Sequence, residues 1–190
     1  MKQFGRLAAL LGTMLALAGC AHEGLSTLSS EDRVQAHRVE QTLGDLKGLT
    51  GRFQQTGPDD AVSSGTFDYA PGRLQLDYAF PHVSHLVAAN GHIVLTDDTT
   101  GAVTHLSLAR NPLGLLLRTP ISFDNGIVVT SVRRGNNALQ LSAAQANNPS
   151  QGELTLQFSD IGDHLNLIGF DAIDARQHHV VLHLFDTTSR

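Results

Sequence analysis

The sequence predicts a mainly β chain with some α (α+β), a curved antiparallel sheet covered by helical segments. Three observations carry that expectation. From Leu49 onward apolar and polar residues alternate with a period of two. Gly, Asn, Asp and Pro punctuate the alternating runs every 8 to 12 residues or so, the spacing of a meandering sheet. Two stretches carry a helical apolar pattern instead, one before the runs and one among them.

The first helix starts at Ser29, with Asp32 three residues on, and places Ala36, Val39, Leu43 and Leu46 on one face. Lys47 and Gly48 mark its expected stop. Phe67 then alternates with polar neighbours, Pro71-Gly72 makes a turn, and Leu74, Leu76 and Tyr78 share one side of the next run. Asn90-Gly91 is the strongest hairpin signal and joins His85–Ala89 to His92–Thr96. Further runs are Val103–Leu108, Ile127–Val132, Ala138–Ser142, Glu153–Phe158, Leu165–Ile168 and Val180–Phe185. Between two of them, Asn111-Pro112 followed by Leu113, Gly114, Leu115, Leu116 and Leu117 predicts a short, apolar helix with Asn as cap and Pro at its first position. Its leucines cover more of the circumference than a surface helix needs, so it either packs into a core or forms a lid over a cavity.

The 190 residues are 41% hydrophobic and 16% charged, which excludes a disordered chain. A single Cys excludes a disulfide scaffold. The net charge is −5; without residues 1–19, which hold Lys2 and Arg6, it is −7. An acidic chain with no Lys/Arg cluster does not suit nucleic acid.

The N-terminus predicts an address. Lys2 and Arg6 precede an apolar stretch from Leu7 to Ala18, too short to span a bilayer, which needs about 20 residues. Leu17-Ala18-Gly19-Cys20 resembles the bacterial lipobox, in which the thiol is acylated and the chain is cut before it. The expectation is a lipoprotein-type signal peptide over 1–19, lipidation at Cys20, a tether over 20–30 and one domain over 31–190. Two or more acyl chains anchor stably, so the mature protein is expected in the periplasm, held on a membrane. Ala21, where an Asp would favour retention at the inner membrane, favours the outer one.

Motifs of the common hydrolases and nucleotide enzymes do not occur in the sequence, and no catalytic residue, metal ligand or cofactor is assigned. His82 with His85, and His178, His179 and His183, are read as polar-face residues of a sheet, since zinc sites usually add Cys or carboxylates at tight spacing. Asp97-Asp98 precedes Thr-Thr-Gly and reads as a hairpin loop.

Four segments, in order, carry a family likeness. The run from Gly65 to Tyr78 (GTFDYAPGRLQLDY) resembles the motif segment of the outer-membrane lipoprotein carrier family, LolA. Leu86–Gly91 is similar to that family's hairpin, Asn111–Arg118 to its leucine helix, and Leu154–Phe158 to its late strand. The likeness spans roughly residues 45 to 185. It implies an unclosed antiparallel β-barrel of about eleven strands with a helical lid, whose cavity shields the acyl chains of lipoproteins or other lipids. It also implies partners: an inner-membrane lipoprotein-releasing complex and an outer-membrane acceptor. The cavity-facing aromatic of the family maps to Leu74, and the expected lining is Phe67, Leu74, Leu76, Leu86, Ile93, Leu95, Leu113, Leu116 and Leu117. Two departures stand out. The family arginine that ties barrel to lid is Ala70 here, and Arg73 lies at a different position. The carrier is a soluble protein, whereas a lipobox implies a tether, as in the acceptor LolB of the same fold. A membrane-tethered structural or sensory module with a filled core, binding a protein partner, is the alternative.

Overall fold

The computed structural model describes residues 25, 27–124 and 126–190. The expected signal peptide, the acylated Cys20 and most of the tether lie outside the described residues.

Helix α1 (Ser30–Asp45) begins where Ser29 Oγ accepts the backbone N–H of Asp32 at 3.1 Å, satisfying one of the free donors of the first turn. It stops at an extended Leu46, one residue before the expected Lys47-Gly48 stop, with no left-handed glycine. Ala36, Val39 and Leu43 are its buried stripe.

Eleven strands form one antiparallel sheet: β1 (Leu49–Thr56), β2 (Val62–Ala70), β3 (Arg73–Phe80), β4 (Ser84–Ala89), β5 (His92–Asp97), β6 (Val103–Ser107), β7 (Ile127–Gly135), β8 (Ala138–Gln145), β9 (Gly152–Ile161), β10 (His164–Asp174) and β11 (His179–Ser189). The spatial order is β6-β5-β4-β3-β2-β1-β11-β10-β9-β8-β7. Strands β6 and β7 are not paired, so the sheet curls without closing. Asn90 and Gly91 both take positive φ (51° and 79°), as a tight two-residue hairpin demands.

The segment from Leu108 to Gly126 joins the two edge strands. A single 3-10 turn (Leu108–Arg110) leads into α2 (Leu113–Leu116), one helical turn long. Pro112 rather than Asn111 occupies the cap, but Asn111 Oδ1 accepts the Leu113 N–H at 2.9 Å and so satisfies a free donor of that turn. Leu113, Leu115, Leu116 and Leu117 are all buried. This strap is pinned along its length. Leu108 N–H donates to Gly91 O, Gln145 Nε2 to Ala109 O, and Phe123 N–H to Glu40 Oε1 of α1. At Gly152, whose φ is 120°, a Cβ would stand 2.8 Å from Pro112 Cγ and 2.1 Å from Ile173 O. Only glycine lets the strap approach the sheet so closely there.

The inward side chains do not fill the sheet evenly. Helix α1 packs on β7 and β10. Beneath it Leu139 and Leu141 of β8, Leu154 and Phe158 of β9 and Ile127 of β7 are essentially solvent-free. Arg38 of α1 forks onto Asp160 at 2.8 and 3.1 Å, and Arg134 of β7 pairs with Glu31. Strands β3 to β6 have only the strap with its one-turn α2 over them, and every residue of β6 is exposed.

Candidate functional site: an apolar cavity under the strap

Three inward rows cross the uncovered half of the sheet in register. Tyr69, Leu74, Ala88, Ile93 and Leu106 pair across β2 to β6, and beside them Phe67, Leu76, Leu86 and Leu95. In the third row Gly65 lies opposite Tyr78. A Cβ on Gly65 would fall 1.9 Å from Asp77 O, and on its strand pair Phe53 meets Tyr78 edge-on with ring centroids 5.1 Å apart. The Tyr78 hydroxyl donates to Gln55 Oε1 at 2.8 Å. Burial pushes its pKa up to about 12, so it stays protonated.

Between these rows, the strap and strands β10 and β11 lies a cavity of about 270 Å³. Leu74, Leu76, Leu86, Ile93, Leu95 and Leu113 line it, six of the nine residues named from the sequence. The other three lie elsewhere. The Phe67 ring packs over Gly51, where an added Cβ would come 3.0 Å from Phe67 Cε1. Leu116 belongs to the packed core. Leu117 leaves the helix with φ −96° and ψ 12°, which turns it into a separate cleft beside Arg118 and Gln145.

Phe170, Ala172, Val180 and Leu182 complete the wall, and the sequence pattern did not indicate them. On β10 the signal of Phe170 and Ala172 was masked by a bulge. Leu165 and Leu167 face inward, but Leu167 pairs with Phe158 and Gly169 with Gln157, leaving Ile168 unpaired. That extra residue reverses the parity, so Phe170 and Ala172 now face inward and Ile168 is exposed.

Polar groups gather at the rim, where Gln55, Asn111, Asp174 and His178 meet the cavity. The Asp174 carboxylate is occupied by its own turn. It accepts the N–H groups of Arg176 and His178 at 2.8 and 2.9 Å, and the His178 ring lies 3.0 Å away. Burial alone would raise its pKa; these hydrogen bonds override that and hold it below the usual carboxylate range.

Of the remaining polar candidates, His85 and His179 sit on the convex face. His85 lies between Asp77 (2.7 Å) and Asp98 (3.1 Å), and its pKa is raised, chiefly by the hydrogen bond to Asp77. Asp97 Oδ1 caps its loop by accepting from Thr99 and Thr100 N–H. His179 pairs with Asp171. Among the described residues no three His, Cys, Asp or Glu side chains converge on a point that could hold a metal ion. Nor does any described helix have the length and apolarity to cross a membrane.

An open antiparallel barrel with a strap across its concavity and an aliphatic, polar-rimmed hollow beneath it defines a LolA-like fold. The chain belongs to the family described as "Outer membrane lipoprotein carrier protein LolA", whose model matches residues 44–189. Solved structures of similar fold include an uncharacterized conserved protein from Thermus thermophilus (10% identity, 85% of this chain and 88% of that one, TM-score 0.46). A LolA superfamily protein from Nitrosomonas europaea matches at 10% identity over 84% and 93% of the two chains, TM-score 0.40. The lipoprotein LppX of Mycobacterium tuberculosis matches at 10% identity over 82% and 96%, TM-score 0.39. A comparison with curated proteins returns no match.

Proposed function

We propose that this protein binds the acyl chains of lipoproteins or of another lipid in the cavity under the strap and takes part in moving them to the outer membrane. The carrying observation is the cavity itself. Its wall is mainly aliphatic side chains from β3 to β6, β10, β11 and the strap, and its polar groups gather at the rim. Each methylene withdrawn from water into such a wall gains about 0.8 kcal/mol, which is the whole of the chemistry required. The activity is binding and handover, without a catalysed reaction.

The lipobox-like Leu17-Ala18-Gly19-Cys20 supports a periplasmic location with an acylated Cys20 as tether. A tethered molecule receives or passes cargo at one membrane and does not shuttle between two. Ala70 at the position of the family's arginine removes one barrel-to-lid tie, and Arg73 does not replace it, since its guanidinium donates to Gln75 of its own strand. The strap here is held by Gly91, Gln145 and Glu40 instead.

Leu86→Glu tests the reading. Leu86 is only half-buried, so a carboxylate there can reach water while it spoils the cavity wall. Native mass spectrometry of protein purified from its own membrane should show bound lipid or lipopeptide mass for wild type and none for the variant, with unchanged far-UV circular dichroism. Wild-type protein without adduct and without affinity for added acyl chains would refute it. Intact mass of wild type beside Cys20→Ala tests the tether; an unmodified soluble product would restore a diffusing carrier.

A further inference from the structure

The apolar cavity does not end at its rim. Leu106, Asn111 and Asp174 line both it and a second, outer cavity of about 490 Å³ between β6, the strap and the β10–β11 turn. The outer cavity adds His105, Arg110 and Arg176. On a chain of net charge −5, several arginines have acidic partners: Arg38 with Asp160, Arg52 with Asp186, Arg134 with Glu31, Arg190 with Asp68. The guanidinium groups of Arg110 and Arg176 have no ion pair or hydrogen bond among the described residues, yet they line the same hollow. Asp174 shares that lining, but its carboxylate is bonded to two backbone N–H groups and the His178 ring, so two guanidinium groups stand there against one carboxylate.

An aliphatic hollow that opens directly into a vestibule with two arginines against one aspartate has the polarity of an amphiphile with an anionic head. We infer that the cargo of this site is an acyl chain bearing an anionic headgroup, with the chain in the inner cavity and the phosphate or carboxylate between Arg110 and Arg176. Guanidinium forks match both oxyanions in two-point hydrogen bonding. The inner volume corresponds to about nine water molecules and so admits part of a single chain, not several, while the strap stays down. This inference rests on the acyl-binding reading and narrows it, because the acylated terminus of a lipoprotein brings no such negative charge of its own.

Titration calorimetry of the purified protein with oleate, 1-oleoyl-lysophosphatidate and mono-oleoylglycerol, each below its aggregation threshold, tests the inference. At least one anionic ligand should bind roughly tenfold tighter than the neutral one, the scale of one charge-assisted contact. Whichever anion binds tighter identifies the headgroup as phosphate or carboxylate. The double variant Arg110→Gln/Arg176→Gln should bind all three at the neutral ligand's affinity. Arg133→Gln, which removes an exposed arginine of β7 away from the vestibule, should keep the preference. Equal affinity for all three in wild type, or a preference that survives the double variant, overturns the headgroup assignment and leaves acyl binding standing. Binding of none of the three overturns both.

Discussion

The two halves of the sheet are made of the same kind of strand yet end in opposite states of packing. Under α1, strands β7 to β10 meet a second layer, and Leu139, Leu141 and Phe158 have at most 1% of their surface left exposed. Strands β3 to β6 carry an equally apolar inner face, but only the one-turn α2 and its flanks cover it, and a hollow remains. The difference lies in the covering element. A sixteen-residue helix presents a full stripe to the sheet, whereas a four-residue helix cannot. Holding capacity therefore comes from a shortage of helix, not from a special strand sequence.

Truncation should separate the two halves most visibly. Phe158→Ala is expected to cost about 3–5 kcal/mol, because the close-packed half cannot collapse around the space left. Leu86→Ala should cost about 1 kcal/mol or less, since its side chain already borders empty volume. Urea denaturation of both variants checks this, and equal losses would mean that the two halves are packed alike. Enlargement sharpens the contrast. Leu139→Phe, in a fully buried site, should destabilise by about 1–3 kcal/mol, whereas Leu95→Phe should leave the urea midpoint nearly unchanged and abolish acyl binding. The smallest effects concern pH, and the halves should differ in sign. Asp160 is held below its usual pKa chiefly by the hydrogen bond from Arg38. Its contribution is present above the unfolded value near 4 and is lost as pH falls through the lowered folded one. Arg38→Gln should weaken the protein by under about 1 kcal/mol at neutral pH, and less in acid. His85, raised chiefly by Asp77, contributes fully below about 6.5 and loses that contribution as pH rises through its folded value. Stability measured between pH 8 and 6 should rise on acidification in wild type and less so in His85→Gln.

Much of this architecture was legible in the residues. Period-two alternation located the strands, Ser29 located the helix start, and Asn90-Gly91 located a hairpin, because each acts through local backbone physics. The likeness over residues 45 to 185 agrees with the family match over 44–189. The cavity was legible on the early strands, where Leu74, Leu76, Leu86, Ile93 and Leu95 keep an unbroken alternation, and at Leu113 of the strap. On β10 the bulge at Ile168 reverses which residues face inward, and nothing local in the sequence announces it. Leu116 and Leu117 do not line this cavity, because α2 is a single turn and Leu117 already lies past its end. The vestibule escaped as well, since Arg110 and Arg176 are 66 positions apart and meet only through the curl of the sheet.

The position of the unpaired edges has a consequence for how the chain could be rewired. Every sheet neighbour is also a neighbour in sequence except β1 with β11, which lie side by side at its centre. Joining the C-terminus to the start of α1 and cutting the strap would turn the molecule into one up-and-down meander from β7 to β6, with α1 as the connection between β11 and β1. Such a circular permutant would keep every strand pair and lose only the connection that spans the gap. The natural order of the chain places its one sheet-spanning link over the hollow, so the covalent backbone itself limits how far the two edges can spread.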